Sequence, residues 1–214
     1  MTWRGPTVLA LLLALGAGGG FGASWALREN LRDDGAASPV AAASPSLPVD
    51  PVPELFPDPD FPPLEPGVEL VRQRVGAGDF GLSLERPVGW RFSPNSLTEW
   101  QWRPPDFESF GYYMRVEQVI SNRRSIDWTL DRRIDELVED ETNVIIRSQT
   151  ADSLHFTYVT SNHLRHGFLK WLDLTGSDNA QVEISVSGRA DDVPGMSELI
   201  NRVAESMTLG AGKA

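Results

Sequence analysis

Three histidines, one acidic cluster and one aromatic segment are the groups in this 214-residue chain whose types and spacing could do chemistry. His163-Leu-Arg-His166 falls between two strand-like segments, with His155 a short way upstream, and two imidazoles in one turn are the beginning of a metal site. A metal wants a third ligand and orienting partners, and Arg165 between the two adds a repelling charge. Ordinary loop histidines are therefore expected, with no metal and no cofactor. Asp135, Glu136, Glu139, Asp140 and Glu141 gather where a helix should end, and there negative charge opposes the macrodipole by about 0.3–1 kcal/mol. Loop spacing for Ca²⁺ is lacking, so a solvated acidic helix end, relieved by Arg132 or Arg133, is the simpler reading. The segment Trp100 to Tyr113 packs six aromatics around Pro104-Pro105. Trp102, Arg103, Phe107 and Phe110 are expected in loop there, and aromatics with arginine dominate binding hot spots, so these four are the candidate partner-binding residues. The competing reading is that most of the rings complete a core. No Gly-x-Ser-x-Gly elbow, HExxH, Gly-x-Gly-x-x-Gly or phosphate loop occurs, and no catalytic residue is nominated.

Composition narrows the classes further. The chain has no cysteine, which removes disulfides, thiolate metal sites, a cysteine nucleophile and a lipid-modified cysteine. Its formal charge is −11, which gives no sequence-wide basis for attracting nucleic acid, whose binding needs clustered Lys and Arg to displace phosphate counterions, and nucleic acid is not an expected partner.

Residues Gly5 to Leu27 carry no charge and are long enough, at about 1.5 Å per residue, to cross a ~30 Å hydrocarbon core. Trp3 and Trp25 read as interfacial aromatics at its two ends. Residues 1–27 are expected to be a retained signal anchor, or a signal peptide if Ser24-Trp25-Ala26 is cut. Gly16-x3-Gly20 and Gly18-x3-Gly22 would allow close helix approach in lipid, although glycine from composition bias is the plainer explanation. Residues 28–70 are rich in alanine, proline and acid, which predicts a disordered, semi-rigid spacer without helix or central strand.

A single body is expected over residues 71–209, with a tail at 210–214. Phe80 to Leu84 and Trp90-Arg-Phe92, joined by Arg86-Pro-Val-Gly89, predict a hairpin. Leu97–Trp102 and Tyr112–Ile120 are further strands. Ser125 caps a helix over Ile126–Asp140, whose Ile126, Leu130, Ile134, Leu137 and Val138 recur at helical spacing. Val144–Thr150, Leu154–Thr160, Phe168–Leu174 and Gln181–Ser187 are strands joined by short polar turns, which demands an antiparallel meander. A last helix, with Pro194 in its first turn, buries Met196, Leu199, Ile200, Val203 and Met207. The fold class is α+β: an antiparallel sheet with two helices packed on it.

The strand, the Arg86-Pro-Val-Gly-Trp90 turn, the middle helix, the long meander and the terminal helix ending Val203-Ala-Glu-Ser-Met-Thr-Leu209 together resemble the PsbP-like family, including actinobacterial LpqN-type and alanine- and proline-rich exported proteins. That resemblance covers about residues 78–209 and implies a mostly non-catalytic accessory or binding role. It assigns no site residues, and this chain lacks the lipoprotein members' anchor cysteine. The expected protein is a membrane-tethered, extracytoplasmic binding domain of a bacterial cell envelope, secreted if its N-terminus is cut. Its partner is a cell-envelope protein or component. The alternatives are a carrier for a small apolar ligand held between sheet and helix, or a hydrolase of unrecognised type.

Overall fold

The structure, a computed structural model, describes residues 54–78, 81–105 and 111–210. The expected anchor, most of the expected spacer, Phe107, Phe110 and the last four residues lie outside them. In chain order the elements are β1 (Leu70–Val75), β2 (Leu82–Pro87), β3 (Arg91–Pro94), β4 (Glu99–Arg103) and β5 (Tyr113–Gln118), then α1 (Ile126–Asp140). The meander β6 (Thr142–Gln149), β7 (Ser153–Thr160), β8 (His163–Leu172) and β9 (Val182–Gly188) follows, then a 3-10 turn (Ala190–Asp192), α2 (Val193–Ser206) and β10 (Thr208–Leu209). Seven strands form an antiparallel sheet in the order β3-β4-β5-β9-β8-β7-β6, and β1-β2-β10 form a separate small sheet. The class is α+β, with antiparallel sheets and two helices.

Period-two alternation on β9 divides the large sheet into two faces. Val182, Ile184 and Val186 point into the main core, where α2 contributes Met196, Leu199, Ile200 and Val203, and the small sheet contributes Val75, Leu82 and Leu84. On the other face α1 lays Leu130 and Leu137 over Leu154, Phe156, Leu169 and Trp171 of β7 and β8. Ser125 caps α1 as its spacing predicts, its hydroxyl accepting the Trp128 N–H at 3.3 Å. The sheet's edges are β3, four residues ending in Pro94, and β6, whose register against β7 shifts twice.

Three sequence expectations change. No β2–β3 hairpin forms: β2 pairs with β1 on one side and β10 on the other, while β3 pairs only with β4. Leu82 and Leu84 are wholly buried in the main core, and the turn at Gly89 (φ +78°) carries the chain from the small sheet to the large one. Second, the His163-Leu-Arg-His166 run is not a turn; β8 begins at His163, and only Ser161 and Asn162, both at positive φ, connect it to β7.

Third, the described part of the expected spacer, from Glu54 onward, is packed on the body as a strap. Prolines deny this segment backbone donors, but its carbonyls remain acceptors, and Arg189 supplies the donors. Arg189 Nη1 donates to the carbonyls of Pro59 and Phe61, both at 3.0 Å, and Nη2 to that of Pro62 at 3.2 Å, while its guanidinium lies 4.5 Å above the Phe61 ring. Asp192, fully buried, holds the guanidinium through Nε at 3.0 Å and Nη2 at 2.9 Å, and accepts the Leu64 N–H at 2.9 Å. Leu64 is itself part of the main core. Gly195 on α2 makes room for it, since a Cβ there would overlap the Leu64 carbonyl.

Asp192→Ala leaves Arg189 buried without its counter-charge and is expected to cost about 3–5 kcal/mol, read as a lower urea midpoint at unchanged m-value. Gly195→Ala should instead dislodge the strap from an intact body, so limited proteolysis cuts within residues 54–66 while the circular dichroism of sheet and helix is retained.

Candidate functional site

The same alternation that builds the core on one face of β9 leaves Glu183, Ser185 and Ser187 on the other, beneath α1. Glu183 is 9% exposed, and a carboxylate so placed must be met by donors. Arg115 of β5 donates through Nη2 to Glu183 Oε1 at 2.7 Å, Arg133 of α1 donates to the same oxygen at 3.1 Å, and Trp171 Nε1 donates to Oε2 at 3.1 Å. Arg115 also meets Glu117 at 3.1 Å and Glu99 at 3.6 Å, and Arg133 meets Glu136 at 3.5 Å. One buried carboxylate thus fastens α1 to the centre of the sheet.

Since α1 covers β6 to β8, the β4–β5 side of this face stays open, and a groove runs between them. Its inner part, about 280 Å³, is walled by Gln101, Tyr113, Arg115, Arg133, Leu137, Tyr158, Ser185 and Ser187, with Gly167 leaving space that the Phe156 ring fills. It continues into a second pocket of about 320 Å³ bounded by Arg103, Gly111, Thr160 and Arg165, which shares Tyr113, Glu141, Tyr158 and Ser187 with the first. The Tyr158 and Ser187 hydroxyls are 2.8 Å apart. Burial, with the nearby Tyr113, pushes the Tyr158 phenol up to about 12, so it keeps its proton at neutral pH and cannot serve Ser187 as a base. Glu141 is raised from the ordinary carboxyl value by burial and by Asp140.

Of the nominated partner residues, Arg103 stands at this groove, its guanidinium 4.7 Å over the Tyr113 ring. Trp102 corrects the expectation of a partner contact: it lies in β4, where the predicted Leu97–Trp102 strand also put it, and is wholly buried, because it faces the same side as Trp100, beside Phe92 and Met114. Its Nε1 donates to Gln73 Oε1 at 3.1 Å, tying the large sheet to β1. Such a ring cannot meet a partner. Phe107 and Phe110 fall outside the described residues, in the connection that leads from Arg103 to Gly111. The acidic end of α1 is relieved by Arg132 and Arg133 through Glu136, at 3.1 Å and 3.5 Å. Sequence reasoning missed Arg115, Tyr158, Arg165 and Ser187. For Arg115 and Ser187 the signal was the polar member of the strand's alternation, which ordinarily means solvent but here faces the α1 side; Tyr158 and Arg165 share their face with the apolar Phe156 and Leu169 and gave no separate signal.

The histidines separate. His163 Nδ1 lies 3.2 Å from Asp58 Oδ1 of the strap, whereas His155 Nε2 and His166 Nδ1 are 3.1 Å apart on the opposite face, His155 being stacked on Phe168. Among the described residues no three histidines or carboxylates gather as a metal site would require. A separate apolar cleft of about 500 Å³ lies at the tip of the β3–β4 hairpin, between Pro94, Leu97, Trp100 and Ile120. Among the described residues no helix is long and apolar enough to cross a membrane.

No family model matches the chain, and no curated protein sequence matches it. Among solved structures it is similar to the Ran-binding protein Mog1p of Saccharomyces cerevisiae, with a TM-score of 0.48 and 11% identity, over 66% of this chain and 96% of that one.

Burial, then the neighbouring His166 and Arg147, pulls His155 down to about 4, and burial with Arg147 lowers His166 as well. The unfolded chain, with histidines near 6.5, therefore binds protons that the folded chain refuses. Stability should be full above about pH 6.5 and fall as the pH drops toward 4. Urea midpoints across that range check this, and His155→Gln should flatten the fall.

Proposed function

We propose that the protein is a non-catalytic binding domain, tethered to the membrane by its N-terminal segment and held outside the cytoplasm of a bacterium, with a PsbP-like fold and a cell-envelope protein or component as its partner. The observation that supports this reading is the character of the α1 groove. Its Arg115 and Arg133 are pinned by Glu183, its Tyr158 phenol holds its proton, and its walls present fixed donors and aromatic surface, which are means of recognition rather than of bond-making. The apolar stretch of residues 5–27 and the proline arm after it support the tether. Arg103 at the groove and the adjoining aromatic connection with Phe107 and Phe110 are the proposed contact residues; Trp102 is withdrawn from that set.

A photo-crosslinker placed at Gln101, inside the groove, in the full chain in cells should capture a defined partner that the same label at Asn201, on α2, does not. Arg103→Glu with Phe107→Ala should reduce that capture at least about tenfold, the loss expected when hot-spot residues are removed. Equal capture from both positions, or no effect of the double substitution, counts against the groove. Protease added to intact cells should remove the body, and complete protection rules out the proposed location.

The apolar cleft at the β3–β4 tip supports a second reading, a carrier for a small apolar ligand. It stands apart from the sheet–helix space where such a ligand was expected, and that space is lined by charge.

A further inference from the structure

On the core face of the large sheet, Trp100, Val116, Val182 and Ile184 follow the strand alternation into the main core, and so does Gln118 at the end of β5. Gln118 is only 4% exposed, and its Oε1 is covered without a donor to meet it among the described residues. A primary amide taken out of water unpartnered is costly, so a fold that keeps one calls for a reason. The hydroxyls of the neighbouring turn are spent on that turn: Ser96 Oγ accepts the Thr98 N–H at 3.1 Å and lies 3.4 Å from Thr98 Oγ1.

Gln118 borders the apolar cleft of about 500 Å³ at the β3–β4 tip. Three of the cleft's wall residues are its neighbours along or across the strands: Thr98, whose carbonyl accepts the Gln118 N–H at 2.8 Å, Trp100 on the diagonal, and Ile120 two residues on. The rim is apolar as well. Leu97 is 93% exposed and Ile120 51%, although a turn between strands ordinarily carries polar residues. None of the described wall residues is ionisable, so a charged head would find no counter-charge there.

We infer that this cleft binds a small neutral alcohol, its apolar body lying against Trp100 and Ile120 under Leu97 and its O–H donating to Gln118 Oε1. This rests on the cleft being a carrier's site, and it names the class of ligand. Volume and walls match ordinary small-molecule sites, which measure about 300–1,000 Å³ and are mostly apolar with a few polar groups to set orientation. A glutamine's last torsion is broad, so the covered oxygen can turn toward a head without moving the strand. Whichever end the amide presents, a hydroxyl both donates and accepts.

Photo-labelling of the full-length chain in phospholipid nanodiscs tests this with two probes that share one long-chain diazirine body. One ends in a hydroxyl and the other in its methyl ether, which cannot donate, and labels at residues 94–100 and 120 are mapped by mass spectrometry. In the parent chain the alcohol should label the cleft about fivefold more than the ether, the ratio that one neutral hydrogen bond gives. Gln118→Met, of similar length without the amide, should remove that preference and keep the ether's labelling; because the two chains are compared, partition of the probes into lipid cancels. The same variant should hold or raise the urea midpoint, since it removes an unmet buried amide. A lowered midpoint shows that the amide serves the fold and overturns the inference, and so does an equal ratio of the two probes in parent and variant. If the ether still labels the cleft in that case, only the hydroxyl assignment falls; if neither probe labels it, the carrier reading falls too.

Discussion

A carboxylate buried beneath a helix is the constraint around which this body is arranged. Glu183 stands near the start of the central strand, where alternation turns it away from the apolar core, and an ion there is tolerated only with donors on every side. Arg115 comes from the neighbouring strand, Arg133 from α1 and Trp171 from β8, so three elements are fixed relative to one another by one side chain. The hydrophobic face of α1 would pack on β7 and β8 without it, but its lateral position would be less determined. Because α1 is held to that side, the β4–β5 surface stays open and the groove exists.

A second buried ion pair does the corresponding work on the opposite layer. Arg189 and Asp192 close the chain's entry to the body against its exit: the guanidinium gathers the strap's carbonyls, and the carboxylate takes the Leu64 N–H at the start of α2. α2 then leads directly to β10, which pairs with β2 beside β1. Arg202 of the same helix donates to the Val68 carbonyl at 2.9 Å, and Gly67 turns the strap into β1 at φ +86°. The two ends of the described body are thus fastened to the same helix.

Much of this was legible in the sequence wherever burial is one-sided. α1 was predicted at its observed bounds because an amphipathic period and a serine cap agree, and the meander followed because its turns are too short for crossovers. α2 was marked by Pro194 and its five apolar positions. What escaped depends on partners distant in sequence. Whether Leu82 and Leu84 belong to a hairpin or to a separate sheet is decided by Leu70–Val75 and by two residues after α2, and neither signal is local. Trp102 was misread as a partner residue because Pro104-Pro105 follows it closely, while the strand pairing that buries it comes from Met114 and Phe92. The strap escaped for a similar reason: its composition predicts an unpaired chain, and its anchors, Asn162, Arg165, Arg189 and Asp192, lie more than a hundred residues further on. Of the site, Arg103 alone was anticipated, since polar residues alternating along a strand look the same whether they face water or a helix.

The two borders of the large sheet carry one more consequence. β3 is cut short by Pro94, which has no N–H to offer, and β6 is interrupted twice in its register, which bends its outer rim away from a straight ladder. An eight-residue border strand without such breaks would invite a neighbouring molecule to add itself strand by strand. Crowded against its own copies, this protein should therefore resist fibrous self-association, and the irregularities in β6 are the feature to preserve in any attempt to stiffen it.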